Sequence, residues 1–157
     1  MIDIAEKIKN TDITNLMTKR VITIAENQPL QEASKLMYQN NVGSVIILQS
    51  ATEIDSEGVP IGIVTERDIA RIVGFAQAFS PTMPISEVMS KPLLTITTSS
   101  SLKESADLMQ QNNIRRLPVL DSKSKLAGIV TAKDILRSTM DIIKKIMVEQ
   151  DFMTLAF

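Results

Sequence analysis

The chain has 157 residues, 44% hydrophobic and 22% charged, a composition that fits a compact unit able to bury a core. Lys and Arg number 17 against 18 Asp and Glu, so no bulk positive field exists to hold nucleic acid or an anionic membrane. Cysteine and histidine are absent, which excludes disulfides, thiol chemistry, Cys/His zinc sites and Ser-His-Asp triads, and aromatics at 3% argue against base-stacking platforms.

The first stretch, MIDIAEKIKN, alternates apolar and charged residues, unlike a secretory signal, and Ile2–Ile8 is expected to be a helix packed on the rest. No apolar run approaches the roughly 18 to 20 residues that span a bilayer. With no export signal, the expected location is the cytoplasm. Val21–Ile24 is a short β-prone run. Leu30, Ala33, Leu36 and Met37 follow helical spacing and give one apolar face. Ser44–Leu48 and Ile61–Val64 are buried-strand candidates, joined through QSATEIDSEGVPI (49–61), a polar stretch with Gly and Pro that reads as a turn. A helix then starts after Thr65, whose hydroxyl can cap it. The same order returns: a β-prone run at Leu93–Ile96, helical spacing at Leu102, Ser105, Leu108 and Met109, strands at Leu117–Leu120 and Leu126–Val130, and a helix after Thr131. The tail from Asp141 to Phe157 is amphipathic, with Ile142, Ile143, Ile146, Met147, Met153, Leu155 and Phe157 apolar. Such a stripe is expected to cover the parent domain or a sister subunit; a membrane-surface role has only Lys144 and Lys145 behind it.

The recurrence is a duplication. Offset by 72, residues 13–48 match 85–120 at 13 of 36 positions, including Met17/Met89, Thr23/Thr95 and the triplet Gln39-Asn40-Asn41/Gln111-Asn112-Asn113. The offset then becomes 66, and GIVTERDIAR (62–71) matches GIVTAKDILR (128–137) at 7 of 10 positions. The change is one insertion in a turn, where length costs little. Each copy reads β-α-β-β-α. Copies of about 60 residues are too small for secure independent cores, so an α/β fold of two repeats packed about a pseudo-two-fold axis is expected. The matched methionines are best explained as flexible core filling.

Three pieces carry a family resemblance: LMTKRVITI and VMSKPLLTI, the stretch leading to NNIRRLPVLD, and G-I-V-T-x-x-D-I, present twice. Both copies resemble CBS (cystathionine β-synthase) domains, and the pair resembles a Bateman module over about residues 10 to 140. The repeats are expected at 10–75 and 82–140, followed by a C-terminal helix or tail at 141–157. The resemblance implies two clefts between the repeats that hold adenosine derivatives such as AMP, ADP, ATP or S-adenosylmethionine, with no obligatory cofactor or metal. It also implies a homodimer, head-to-head or head-to-tail.

The residues agree with that implication. In GIVTERD and GIVTAKD the Gly ends a buried strand and the Thr opens a helix, whose first amides are a natural phosphate site. Thr65 and Thr131 add a hydroxyl, Arg67 and Lys133 a positive charge, and Asp68 and Asp134 an acceptor for ribose hydroxyls. A Thr followed three residues later by an acid is also a capping box in outline. Both readings stand for this turn; the basic residue before each Asp favours a phosphate. Val21-Ile22 and Leu93-Leu94 match family positions lining the adenine, although alternation along a strand turns at least one of each pair into the core.

Arg115-Arg116 stands where the first repeat has Gly43-Ser44, so the two clefts cannot be equivalent. By resemblance Arg116 joins Thr65, Arg67, Asp68 and Leu93-Leu94, and the other cleft combines Thr131, Lys133, Asp134, Val21 and Ile22 with Arg20 nearby. Arg grips phosphate oxygens bidentately, so the Asp68 cleft is expected to hold the tighter ligand. One of the two arginines is expected to be a solvated strand-end charge, and Arg71 and Arg137 to pair with the nearby Asp or face water. The function expected is an adenine-nucleotide sensor that signals to a separate effector protein. The alternative is a ligand-free interaction module. An enzyme is not expected, since no catalytic barrel or reactive Cys is present.

Overall fold

The structure, a computed structural model, describes residues 4–49, 58–75 and 80–155, with side chains as far as residue 148. The elements are α1 (Ile4–Lys9), β1 (Thr23–Ala25), α2 (Leu30–Asn40), β2 (Ser44–Gln49), β3 (Val59–Thr65), α3 (Glu66–Phe75), β4 (Ile96–Thr97), α4 (Leu102–Gln111), β5 (Arg116–Leu120), β6 (Leu126–Thr131) and α5 (Ala132–Leu155). Two three-stranded sheets form, ordered β1-β2-β3 and β4-β5-β6, so both copies have the expected β-α-β-β-α order.

The compact units are not the sequence repeats. One unit is Arg20–Leu94 with Lys123–Leu126; the other is Met1–Lys19, Thr95–Ser122 and Ala127–Phe157. Each repeat therefore sends its leading arm into the other unit.

In the first unit β1 runs parallel to β2, with Ile24 opposite Ile47, and β2 runs antiparallel to β3, with Val45 opposite Val64. The apolar face of α2 (Leu30, Ala33, Met37) closes on Ile24, Val45, Ile47 and Val64, and Ile85 from the second repeat's arm completes this core. That arm is held by backbone bonds: Leu30 N–H donates to the Met83 carbonyl (2.9 Å) and Ser90 N–H to the Ile63 carbonyl (2.9 Å). Gly62 lies in the middle of β3, not at its end as expected, and its reason is close approach. A Cβ there would meet Met89 Cγ at 2.9 Å.

The second unit repeats the plan. β4 runs parallel to β5, and Ile96, Met109, Leu117, Val119 and Val130 enclose Ile13 from the first repeat's arm. Thr18 and Ile129 exchange both backbone bonds, at 2.9 and 3.0 Å. Gly128, also inside its strand, has Met17 Cγ at 2.9 Å and the Thr18 carbonyl at 3.0 Å from an added Cβ. Ser105, on the buried face of α4, satisfies its hydroxyl by donating to the Ser101 carbonyl at 2.8 Å. The helix α1 packs against both α4 and α5, as expected of an N-terminal helix with an apolar side.

Two further expectations need correction. Val21-Ile22 and Leu93-Leu94 precede β1 and β4 instead of opening them. Ile22 lends its carbonyl to Ile46 N–H (3.0 Å), but the ladder proper starts at Thr23, where β2 offers register partners. The stretch from Asp141, expected as a helix or tail, runs on from the repeat's last helix as part of α5 without a break to Leu155, with Ile146 buried. The inserted loop 50–57 and Phe157 lie outside the described residues, as do the side chains of Met153 and Leu155.

Candidate functional site

The two Thr-to-Asp turns fold identically. Thr65 closes β3 and Asp68 sits in the first turn of α3, three residues on, so the carboxylate can reach back. The Thr65 N–H and hydroxyl both donate to Asp68 Oδ2, at 2.9 and 2.7 Å, while the Asp68 N–H donates to Thr65 Oγ1 at 3.3 Å. In the other unit Thr131 N–H and hydroxyl donate to Asp134 Oδ2 at 2.9 and 2.6 Å, and Asp134 N–H to Thr131 Oγ1 at 3.2 Å. This is a reciprocal capping box with Asp in the place of Glu. Of the first three amides of α3, Glu66 gives its proton to the Gly43 carbonyl (3.2 Å) and Asp68 to Thr65, which leaves that of Arg67. In α5 the Ala132 amide goes to the Arg115 carbonyl (2.9 Å) and leaves that of Lys133. The expected row of free amides for a phosphate is thus shortened to one per turn, because the cap takes the rest.

The two acids keep their second oxygens for different company. Asp68 Oδ1 lies 3.6 Å from Arg71 Nη2, a loose pair whose arginine is 66% exposed. Asp134 has no ion pair among the described residues, and Arg137 is exposed. Arg67 and Lys133 are exposed at the helix starts, free to meet an anion arriving from solvent. Arg115 is exposed and Arg116, the first residue of β5, is half-buried. At the matching place in the first unit Ser44 stands directly opposite Thr65 in the ladder. Thr65, Arg67 and Asp68 share their unit with Leu93-Leu94, Val21-Ile22 and Arg20, whereas Thr131, Lys133 and Asp134 share theirs with Arg116. Ile22 packs on the core of its unit, Val21 and Leu93 are half-buried, and Leu94 is exposed.

A hollow of about 710 Å³ opens between α2 and α3, lined by Met37, Tyr38, Glu66, Ala70, Val73 and Gly74 among others.

A CBS domain model matches residues 11–74 and 85–141. A CBS domain-containing protein of Bacillus subtilis, YhcV, is 38% identical over 130 residues, which are 83% of this chain and 86% of that protein. MJ1404 of Methanocaldococcus jannaschii is 37% identical over 154 residues, but the chain spans only 35% of its length. Among solved structures, the CBS domain pair of protein MJ0100, in complex with 5′-methylthioadenosine and S-adenosyl-L-methionine, has 28% sequence identity and a TM-score of 0.69. The match covers 81% of this chain and 98% of that one. No helix among the described residues is long and apolar enough to cross a membrane.

Proposed function

This chain belongs to the CBS domain family, and on that premise we propose that it is a regulatory module, not an enzyme, that binds an adenosine compound and relays the event to a partner protein. The observation that carries the reading is the doubled Thr-x-x-Asp turn, each with a basic residue before its acid and one amide left for an anion. The complex of the MJ0100 pair with two adenosine compounds supports the ligand class. AMP, ADP or ATP fits the chemistry: carboxylate oxygens of Asp68 and Asp134 accept from ribose hydroxyls, and Arg67, Lys133 and Arg116 meet phosphate. Val21-Ile22 and Leu93-Leu94 supply apolar surface for the base, with Arg20 near the former pair. The working unit is a cytoplasmic homodimer. A ligand that favours one arrangement of the repeats over another shifts that equilibrium by its difference in affinity, and no other coupling device is required.

Isothermal calorimetry with AMP, ADP, ATP and S-adenosylmethionine tests the proposal. Heat is expected for at least one, and none at millimolar concentration defeats it. Asp68→Asn and Asp134→Asn keep an acceptor for the cap while removing the charge, so each is expected to weaken one site and leave the other. Unchanged binding in both variants removes the ribose role from these acids.

A second reading, a ligand-free interaction module, draws on a specific observation. Each Thr and Asp already satisfies the other, so the turn is complete as a cap without any ligand. The same titration separates the two.

A further inference from the structure

The two exchanged arms are not fastened alike. The same antiparallel bridge joins Asp12 to Ser101 in one unit and Pro84 to Pro29 in the other, at the repeat offset of 72. Around Pro84 four backbone bonds cross from arm to unit: Leu30 N–H to the Met83 carbonyl (2.9 Å), Gln31 N–H to Pro81 (3.0 Å), Ile85 N–H to Gln28 (2.9 Å) and Ser86 N–H to Glu26 (3.3 Å). Around Asp12, among the described residues, one crosses, from Leu102 N–H to the Thr11 carbonyl at 3.2 Å. The cause is local. Thr14 stands in the place of Ser86, and its N–H donates to Asp12 Oδ1 at 2.8 Å within the arm instead of crossing. Ser101 likewise gives its N–H to Glu104 Oε2 at 2.8 Å inside α4. A side-chain cap satisfies a donor but fastens nothing across the joint, whereas Pro84 and Pro29 offer no cap. The apolar seats do not offset this, because Ile13 and Ile85 are both fully buried. Nor does α1, which leads into the first arm and has no buried residue.

We propose that the first repeat's arm, Thr11–Thr18 with α1 ahead of it, is a strap that opens from the second unit while the second repeat's arm stays shut. Opening withdraws Ile13 from among Ile96, Met109, Leu117, Val119 and Val130, and uncovers the bare backbone of Gly128, against which Met17 lies. The turn at Asp12 survives the opening, because both the N–H and the hydroxyl of Thr14 are bonded within the arm. The strap runs on through Lys19 into Arg20 and Val21-Ile22, the stretch assigned to the ligand above, so strap and ligand share one segment of chain. The opening itself does not depend on that ligand.

The far ends of the arms supply matched reporters. Thr18 and Ile129 exchange two backbone bonds, at 2.9 and 3.0 Å, and Ser90 and Ile63 exchange two, at 2.9 and 3.3 Å. Amide hydrogen exchange of the unaltered full chain, followed residue by residue by NMR, compares them. Thr18 and Ile129 are expected to be protected about tenfold less than Ser90 and Ile63, or lower still, since fewer bonds cross behind them. Urea below the unfolding range is expected to leave their rates nearly flat, because a local opening exposes little surface. Equal protection of the two pairs overturns the proposal. So does a urea dependence at Thr18 and Ile129 as steep as that of the Ile46 amide, buried in the first sheet. Asp12 and Ser101 face each other across the bridge at a spacing that suits a disulfide, in a chain with no cysteine of its own. Asp12→Cys combined with Ser101→Cys is expected, once oxidised, to raise the protection of Thr18 and Ile129 to that of Ser90 and Ile63, and dithiothreitol to lower it again. A disulfide-linked chain in which those two amides exchange as fast as in the parent overturns the strap. Calorimetry without heat removes the ligand and leaves the difference between the arms standing.

Discussion

In the first unit α2 begins at Pro29 with no side-chain cap and stands apart from α3 across an open hollow, whereas in the second unit α4 begins at a Ser101–Glu104 capping box and α1 packs on both α4 and α5. Below that helical face the units agree closely. Both use a parallel pair followed by a third strand, both close the strand-to-helix turn with Thr and Asp, and both lay a methionine from the other repeat's arm over a strand glycine. After a duplication, positions that set backbone approach are constrained in both copies, while an exposed helical face is free to diverge into a partner surface. The exchanged arms also explain how two small repeats obtain adequate cores. Ile85 and Ile13, each fully buried, are apolar contributions that the receiving unit's own repeat does not supply.

The sharpest way to break the likeness between the units is to fill the glycines. An alanine at Gly62 has the Met89 side chain nearest to it, whose thioether end can swing aside, whereas at Gly128 the Thr18 carbonyl is also close, and Thr18 is fixed by two backbone bonds with Ile129. Gly128→Ala is therefore expected to destabilise by about 1–3 kcal/mol and Gly62→Ala by less. Urea unfolding of the two variants measures the difference. Equal losses show that both arms yield alike, and a Met17→Ala change that fully restores Gly128→Ala shows that the carbonyl was not the obstacle.

A smaller effect is expected at the turns, where the units should behave alike. Asp68→Ala and Asp134→Ala each remove a cap, which costs about 1 kcal/mol. The extra partner of Asp68, Arg71, is 66% exposed and 3.6 Å away, so it adds at most a few tenths of a kcal/mol. Thermal unfolding that separates the two variants by much more than this places weight on the ion pair that the geometry does not support.

The helix faces were legible in the sequence because a 3.6-residue period leaves a readable pattern: Leu30, Ala33 and Met37 are buried as their spacing predicts, and so are Leu102, Ser105 and Met109. Strand starts were less so. Val21-Ile22 and Leu93-Leu94 have strand-like side chains, but pairing is decided by where the neighbouring strand begins, and that is not a local property. The exchange of arms was invisible for a related reason. Aligning 13–19 with 85–91 shows that the arms are alike and says nothing about which sheet each one joins. At the candidate site the Thr and Asp pairs were found from spacing alone. Their mutual bonding was not decided by it, since a cap and a ribose site ask for the same residues three apart. The hollow is not legible in the sequence because it is made by Ala70 and Gly74, and small residues on an exposed helix leave no hydrophobic signal.

The smallest predicted effect concerns the cap that only the second unit has. At α4 the Ser101 N–H donates to Glu104 Oε2 at 2.8 Å and the Glu104 N–H to Ser101 Oγ at 3.2 Å. The backbone bond from Ser101, and after it the Ser101 hydroxyl, holds the Glu104 carboxyl below its ordinary range. A carboxyl depressed in the folded state contributes stability above its unfolded pKa and loses it as pH falls through the folded one. Ser101→Ala is therefore expected to lower the melting temperature slightly at neutral pH, and the gap to the parent chain should narrow as the solution is acidified through the Glu104 titration. Substitution of Pro29 by Ser, with Glu32 three residues on, offers the first unit the same box at α2. A stabilisation that appears with the same pH dependence shows that the two helix starts differ only in their caps. A gap that stays constant in acid shows that the Ser101 contribution does not run through the Glu104 carboxylate.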